Sequence, residues 1–569
     1  MEERADRPCD TEQTVKPSIP MLAALLAVAT FPVAPSRAGA DPAEDLSRRT
    51  VAFEREIEGL RRLLGLPGCQ VAVVRDGQVA LERAYGHANV EAGIPLTTDH
   101  LIEIASVTKT MTAIVMMQLV EEGKVSLDDR VAKYPFHRWF YPTRITPEVR
   151  LRHVLSHTSQ GPPGEVYCYE GNRFGFVLGV FGTTPESYGE AVDRRIFRPL
   201  HMDHTLPRPG VVLTDALRSS LATQYGEFDA ATGQPIPVRN PPVPRDYFPS
   251  SGYFSNVKDL ARYAIALQNH SLISAKSHDV IESPTLTRDG RALPYGIGWF
   301  TQDFAGTRLV WHYGYGNGSS ALQLRVPADK LALIVLANSE NMSGSTRLGY
   351  GDVLDSPFAV AFLKHFVFAR ETPHESPTYD GELARIRTSM ADLGAKQAHP
   401  LYFEELFAQA VARELMAGPN RDSRKALGLM QIVQELRPNL LLDSGITGLE
   451  VLSRYDDPGL NSTTETLSRA LSRPQPAHPA ALFFASRFFE KTGRRSEAVR
   501  LLERLADSDF EDDRLTLDAC ILMGDYLTAS DPERARAYYW RAVRIGWQSP
   551  GYPRARVDRA IELLNAMDH

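Results

Sequence analysis

The sequence predicts an α/β fold of the α+β type, an antiparallel sheet flanked by helices, followed by an all-α region of helical repeats. Strand patterns occur near both ends of the first 370 residues, and the stretch between them is helical and loop-rich. Beyond residue 370 the pattern is almost wholly amphipathic helix. At 569 residues the chain is too long for one hydrophobic core, so at least two domains are expected.

The first strands read as a hairpin. Gln70-Val-Ala-Val-Val74 and Val79-Ala-Leu-Glu-Arg83 flank Asp76-Gly77, a two-residue turn signal. Four later runs, Tyr295–Phe300, Arg308–Trp311, Ala321–Val326 and Leu331–Ala337, are short and apolar or alternating. Gly306, the glycines of 314–318 and Pro327-Ala328-Asp329 separate them. Strands at both ends of a helical insertion predict a single sheet with helices packed on it.

Glu371-Thr-Pro-His-Glu-Ser-Pro377 reads as a linker. After it, helix pairs are expected with first members starting near Phe403, Ser444, Pro479 and Asp513, and partners near Arg421, Asn461, Arg495 and Asp531. The later steps are close to 34 residues, and Ala498 and Ala535 fall at matching points of successive second helices. This pattern resembles degenerate tetratricopeptide repeats, with an irregular helical bundle as the alternative.

At the N-terminus, no charge occurs between Lys16 and Arg37, Met21–Phe31 is apolar, and Ala38-Gly39-Ala40 offers a cleavage signal. The run is too short for a membrane span and reads as a secretory signal, although residues 1–20 carry five acidic against three basic side chains. The expected order is a signal segment over 1–40, a sheet-and-helix domain over 45–370, a linker over 371–382 and helical repeats over 383–569. A secreted or periplasmic location follows, with no membrane span in the mature chain.

Hydrophobic residues make up 43% and charged residues 23%, as in an ordinary globular protein. A net charge of −7 without a concentrated basic face argues against a nucleic-acid partner. The four cysteines, Cys9, Cys69, Cys168 and Cys520, are widely separated and suggest neither a zinc knuckle nor a disulfide framework. Cys168 reads as a small apolar filler.

Chemistry is concentrated in three segments. Ser106-Val-Thr-Lys109 opens a run in which Val107, Met111, Ile114, Val115, Met117, Leu119 and Val120 leave almost no polar face. Such a helix belongs in an interior, where a lysine is rare unless something holds it. Serine and lysine at i and i+3 share one helix face, and burial lowers an amine pKa enough for it to act as a base. A second SxxK, Ser255-Asn-Val-Lys258, precedes a mixed polar and apolar helix and reads as a solvated helix start. The second segment holds Tyr167, Tyr169 and Asn172 before an apolar helix. A phenol beside a lysine cation can titrate, and an asparagine can orient amine and substrate. The third, Trp311-His-Tyr-Gly-Tyr-Gly-Asn-Gly318, lies between strands, where glycines permit close backbone approach to a ligand. No G-x-S-x-G occurs, and His153, His157, His201 and His204 form no HExxH motif.

Taken together, Glu103-Ile-Ala-Ser-Val-Thr-Lys-Thr110, His153-Val-Leu-Ser-His-Thr-Ser159, Arg198-Pro-Leu-His-Met-Asp203, Asp259-Leu-Ala261, Tyr295-Gly-Ile-Gly-Trp299, His312-Tyr-Gly314 and Leu336-Ala-Asn338 resemble the class C β-lactamase-related family. That family includes penicillin-binding proteins, esterases and D-amino-acid peptidases, and the resemblance covers about residues 50–368. It implies a β-lactamase-like sheet-and-helix fold and an acyl-enzyme formed at Ser106, with Lys109 as activating partner and Tyr169 as general base, Tyr167 being the rival. Asn172, His312, Gly314 and the backbone of Tyr315 would bind and orient substrate, the Tyr315 amide completing an oxyanion hole. No metal or organic cofactor is implied.

Two departures affect the activity expected. Tyr169-Glu-Gly-Asn172 carries one residue more than the family's Tyr-x-Asn element. His312 also stands where many relatives have lysine, so a permanent cationic anchor for a substrate carboxylate is absent. Esterase-like hydrolysis of a small-molecule or peptide substrate is therefore favoured over β-lactamase or D-peptidase activity. The rival from another class is a non-catalytic sensor that binds a protein partner through its helical repeats.

Overall fold

The computed structural model describes residues 42–135, 145–228, 235–238, 248–304, 306–344, 346–368, 445–454, 461–474, 476–510, 514–548 and 554–567. The expected signal segment, the linker and the helices near Phe403 and Arg421 lie outside the described residues. The chain divides by its internal contacts after Arg48, and of the first unit only the opening residues of helix α1 (Pro42–Leu63) are described. The remaining account concerns the second unit.

Seven strands form one antiparallel sheet. They are β1 (Gly68–Arg75), β2 (Gln78–Asn89), β3 (Ile94–Pro95), β4 (Phe300–Phe304), β5 (Thr307–Gly316), β6 (Ser319–Val326) and β7 (Leu331–Ala337), in the order β3-β2-β1-β7-β6-β5-β4. The expected hairpin forms at Asp76 and Gly77, both at positive φ, which matches the twist of the flanking strands. β1 also pairs with β7, Cys69 opposite Ala337 and Arg75 opposite Leu331, so the two ends of the region close into the single sheet expected. β6 and β7 are buried along their whole length, which is why Leu331–Ala337 reads as a continuous apolar run.

Ala72, Val74, Ala332, Ile334 and Leu336 join the main core with helix α2 (Thr108–Glu121) and helix α3 (Val257–Gln268). The alternate residues Val71, Val73, Leu333 and Val335 are equally buried and, by the two-residue period of a strand, face the other side. The run Tyr295–Phe300, expected as a strand, is instead a bend: Tyr295 bridges only to Phe300, Gly298 has φ +76, and pairing begins at Phe300.

Helix α1, absent from the sequence-based expectation, packs against the segment Leu363–Val367. Phe53 meets Phe366 edge-on at 5.1 Å, and Glu56 accepts hydrogen bonds from Lys364 Nζ (2.5 Å) and His365 Nε2 (2.7 Å). Lys364 and His365 are both nearly inaccessible, and the Glu56 carboxylate supplies a counter-charge to the buried Lys364 ammonium.

In the C-terminal part the described residues contain α4 (Gly445–Arg454), α5 (Asn461–Ser472), α6 (Pro479–Lys491), α7 (Arg495–Ala506), α8 (Arg514–Leu527), α9 (Pro532–Gln548) and α10 (Arg554–Met567). Each packs on its neighbours in chain order. Ala498 and Ala535 are fully buried, where a small side chain lets helix backbones approach. Six of these helices begin at or one residue from an expected start, while α10 was not anticipated. Among the described residues no helix is long and apolar enough to cross a membrane.

Glu56→Ala removes a carboxylate 2.5 Å from the buried Lys364 ammonium, and a loss of about 3–5 kcal/mol is expected. Burial raises the Glu56 pKa, but hydrogen bonds from His365 and Lys364 and their charges outweigh it and leave the pKa lowered. The contribution is therefore present above the unfolded carboxylate range and lost as pH falls through the depressed folded pKa. Thermal unfolding at pH 7 should show a lower Tm for the variant; an unchanged Tm would contradict the role given to Glu56.

Candidate active site

Ser106 stands on a single 3₁₀ turn, Ala105–Val107, that leads directly into α2. Ile102 and Glu103 pair with Ser255 and Phe254, and the Ile104 amide donates to the Tyr253 carbonyl at 2.8 Å. The chain then turns sharply at Ala105, whose φ of +42 costs a non-glycine residue on the order of 1–3 kcal/mol. The flanking pairing holds this strained residue in place and presents Ser106 at the start of the helix.

Lys109 lies one turn further along and is fully buried. Its Nζ is 2.9 Å from Ser106 Oγ and donates to the Ser250 carbonyl at 2.9 Å. The rings of Tyr169 and Phe174 stand 5.3 and 5.6 Å from it. Burial lowers the amine pKa to about 7, the Glu170 carboxylate opposing in part. An amine in this state is substantially neutral at physiological pH, and its lone pair can accept a proton.

The two tyrosines are distinguished by their partners. Tyr167 donates its hydroxyl to the Gly349 carbonyl at 2.8 Å. The Tyr169 hydroxyl is buried without a hydrogen bond of good geometry, although Ser106 is the side chain that moderates its pKa. Burial raises that pKa well above the ordinary phenol value, with Tyr313 adding to the effect. A resident phenolate is therefore disfavoured. A β-carbon on Gly171 would lie 3.6 Å from Lys109 Nζ, so the segment between Tyr169 and Asn172 passes beside the amine. Asn172 opens the next 3₁₀ segment, Asn172–Val177.

The third wall is the end of β5. Pairing with β4 stops at Trp311 opposite Phe300, while pairing with β6 continues to Gly316. Residues 312–316 thus keep one edge outside that ladder. At Gly314 a β-carbon would sit 2.3 Å from the Ile104 carbonyl oxygen, so only glycine allows the strand to run this close to the nucleophile turn. Tyr315 follows with its side chain about half exposed.

His312 is held by two protein groups. It is fully buried; Nδ1 lies 2.7 Å from the Tyr313 carbonyl and Nε2 lies 2.7 Å from the Tyr295 hydroxyl. A carbonyl only accepts, so Nδ1 carries the proton and Nε2 accepts from Tyr295. Burial, with Lys109 nearby, pushes the imidazole pKa well below its ordinary value and keeps the ring neutral. The ring thereby joins Tyr295 to β5.

Sequence reasoning missed Ser250, Glu103 and the role of His157. Ser250 contributes a carbonyl, which no side-chain motif announces. Glu103 is buried beneath the end of β5, accepting from Gln224 (3.1 Å) and Ser319 (3.4 Å); burial raises its pKa, and those two bonds oppose the rise. His157 is buried with φ +53, its Nδ1 accepting the Glu170 amide and its ring 4.2 Å from that of Tyr169. His153 Nδ1 accepts the Arg150 amide instead, so the i,i+4 histidines serve separate backbone contacts.

The second SxxK begins helix α3 as expected. Its start is not solvated: Ser255 is fully buried and bonded to Thr205 at 2.8 Å, and Asn256 caps the helix by accepting the Asp259 amide. Lys258 turns away to Asp99 at 2.6 Å.

The Beta-lactamase family profile matches residues 53–354, more than half of the chain. The chain belongs to the Beta-lactamase family. It is 24% identical over 314 residues to Protein flp of Staphylococcus aureus (strain NCTC 8325 / PS 47), covering 48% of this chain and 60% of that one. It is 27% identical over 360 residues to Unguisins hydrolase ungD' of Aspergillus campestris (strain IBT 28561), covering 53% of this chain and 64% of the relative. The match thus spans less than two thirds of either relative's own length. A solved octameric penicillin-binding protein homologue from Pyrococcus abyssi aligns with a TM-score of 0.46 and 23% identity, over 61% of this chain and 82% of its own.

An active-site serine probe of the fluorophosphonate class should label this β-lactamase-family chain at Ser106 and leave Ser255 unmodified, since Ser255 is buried and bonded to Thr205. Peptide mapping by mass spectrometry checks this. A label on Ser255, or none, would refute the assignment.

Proposed function

We propose that this chain is a serine hydrolase acting through an acyl-enzyme at Ser106, with esterase-like hydrolysis favoured. The observation that carries the reading is the buried Lys109 amine 2.9 Å from Ser106 Oγ, with its pKa brought down to about 7. In its neutral form Nζ accepts the Ser106 proton as Oγ bonds to the substrate carbonyl carbon. The resulting oxyanion is received by the backbone amides of Ser106 and Tyr315. Collapse expels the alcohol or amine, which takes the proton back from Lys109 through the Tyr169 hydroxyl. Water then attacks the acyl-enzyme carbonyl and gives a proton to the same amine, which returns it to Ser106 Oγ as the acid leaves.

Tyr169 is expected from the resemblance as general base. Its raised pKa supports a different division of labour, in which Lys109 takes the proton and the protonated phenol relays it. Asn172 keeps the proposed orienting role by its place one residue beyond Gly171. His312 supports the substrate preference indirectly: a neutral, fully engaged imidazole provides no cation for a carboxylate. The hydrolase activity in the name of the Aspergillus relative agrees with this reading.

Export also remains part of the proposal, resting on the apolar run Met21–Phe31 and the motif Ala38-Gly-Ala40. A tetratricopeptide-like role for α4–α10, offering a surface to a protein partner, rests on their serial packing.

Loss of one charge-assisted contact costs on the order of 1.5–3 kcal/mol, or roughly one to two powers of ten in binding. Short-chain aryl esters should therefore be hydrolysed measurably, and cephalosporins and D-alanyl peptides much more slowly. Parallel kcat/KM measurements on the three classes test this. Faster cleavage of cephalosporins would replace the esterase reading with a β-lactamase one.

A further inference from the structure

The segment carrying Tyr169 has two faces. Tyr167 and Tyr169 turn inward, Tyr167 stacking on Tyr295 at 6.0 Å and Tyr169 lying 5.6 Å from Tyr313. Val166 and Cys168 turn the other way and form a small buried cluster with Phe510, which follows α7. Phe510 is only 3% exposed. Its ring also fills the space beside Gly161, where a β-carbon would come within 3.1 Å of it. The helical region thus inserts an aromatic side chain behind the segment that presents Tyr169.

A second set of contacts reaches the 347–350 segment, which packs against Tyr313 of β5. Glu450 of α4, 3% exposed, receives two bonds from Arg347 (2.9 and 3.0 Å) and one from Tyr350 (3.2 Å). His478, which caps α6, lies against both Tyr350 (5.7 Å) and Tyr167 (6.4 Å). The Tyr167 hydroxyl closes the circuit on the Gly349 carbonyl. The Tyr169 segment and the 347–350 segment are therefore fastened to each other and, separately, to the helices behind them.

We infer that the C-terminal helical region is a positioning element for the hydrolase site, holding Tyr169 at Ser106 through Phe510 and bracing the 347–350 segment through Glu450. This rests on the serine-hydrolase reading above. Phe510 touches no reacting atom; it acts by fixing the backbone from which Tyr169 projects. A displacement of about 1 Å in such a group can cost roughly 100-fold in rate. Helix packing is thereby coupled to turnover, and a partner that shifts α7 relative to the 161–169 segment would change kcat.

The test uses the full chain and an aryl ester. Phe510→Ala should lower kcat by about 10- to 100-fold with KM within about twofold, and Phe510→Met should restore most of the loss. Cys168→Ala, which opens the same contact from the hydrolase side, should reproduce the kcat effect without touching the helices. Glu450→Gln should give a smaller loss of the same kind, and Trp547→Ala, on the exposed surface of α9, should match the wild type. Amide hydrogen exchange over 161–172 should rise in Phe510→Ala, a readout that requires no turnover. Unchanged kcat in Phe510→Ala and Cys168→Ala, or exchange over 161–172 equal to wild type, overturns the inference. Wild-type chain that binds no serine probe strikes the hydrolase reading instead, and the exchange result still decides whether the helices hold the segment.

Discussion

The site depends on one unfavourable act, the burial of the Lys109 amine. A charged ammonium in this position would face a serine hydroxyl, the Ser250 carbonyl and two aromatic rings, with only partial help from Glu170. Desolvation wins, and the amine can become neutral near physiological pH. The surrounding arrangement follows from keeping that amine dry and aimed. An all-buried helix carries it, the 250–255 segment supplies a carbonyl and a strand pair, and an aromatic cluster of Tyr167, Tyr169, Tyr295 and Phe300 packs beside it.

Neutrality extends beyond the lysine. His157 and His312 are both buried near Lys109, which discourages their protonation as burial does. The tyrosines are pushed the other way and stay protonated. The interior of the site therefore holds few net charges, so a proton can pass from serine to amine without strong competition from neighbouring ions. In the same way both ring nitrogens of His312 are engaged, joining Tyr295 to β5.

Much of this was legible in the sequence because it is periodic or spaced. The Asp76-Gly77 turn, the apolar runs of β6 and β7, the i,i+3 serine and lysine, and the helix starts near Asn461, Pro479 and Arg495 are local signals, and local signals survive in a linear reading. The run Tyr295–Phe300 misled because aromatic packing, rather than a strand ladder, selects its residues. Ser250 was invisible because its contribution is a backbone carbonyl. The orientation of His312 depends on Tyr295 and on a carbonyl of its own strand, and its sequence position alone does not reveal it. Phe510 is the extreme case: it lies more than 300 residues from the segment it supports.

The most direct test of the account is the pH dependence of Ser106 acylation by a neutral fluorophosphonate. Protonated Lys109 cannot accept the serine proton, so the second-order rate should be low in acid and rise to a plateau, with a midpoint at about 7. Lys109→Met should abolish that rise. A rate independent of pH between about 5 and 9, or a midpoint near the ordinary lysine value of about 10.4, would contradict the claim that a buried neutral amine activates Ser106.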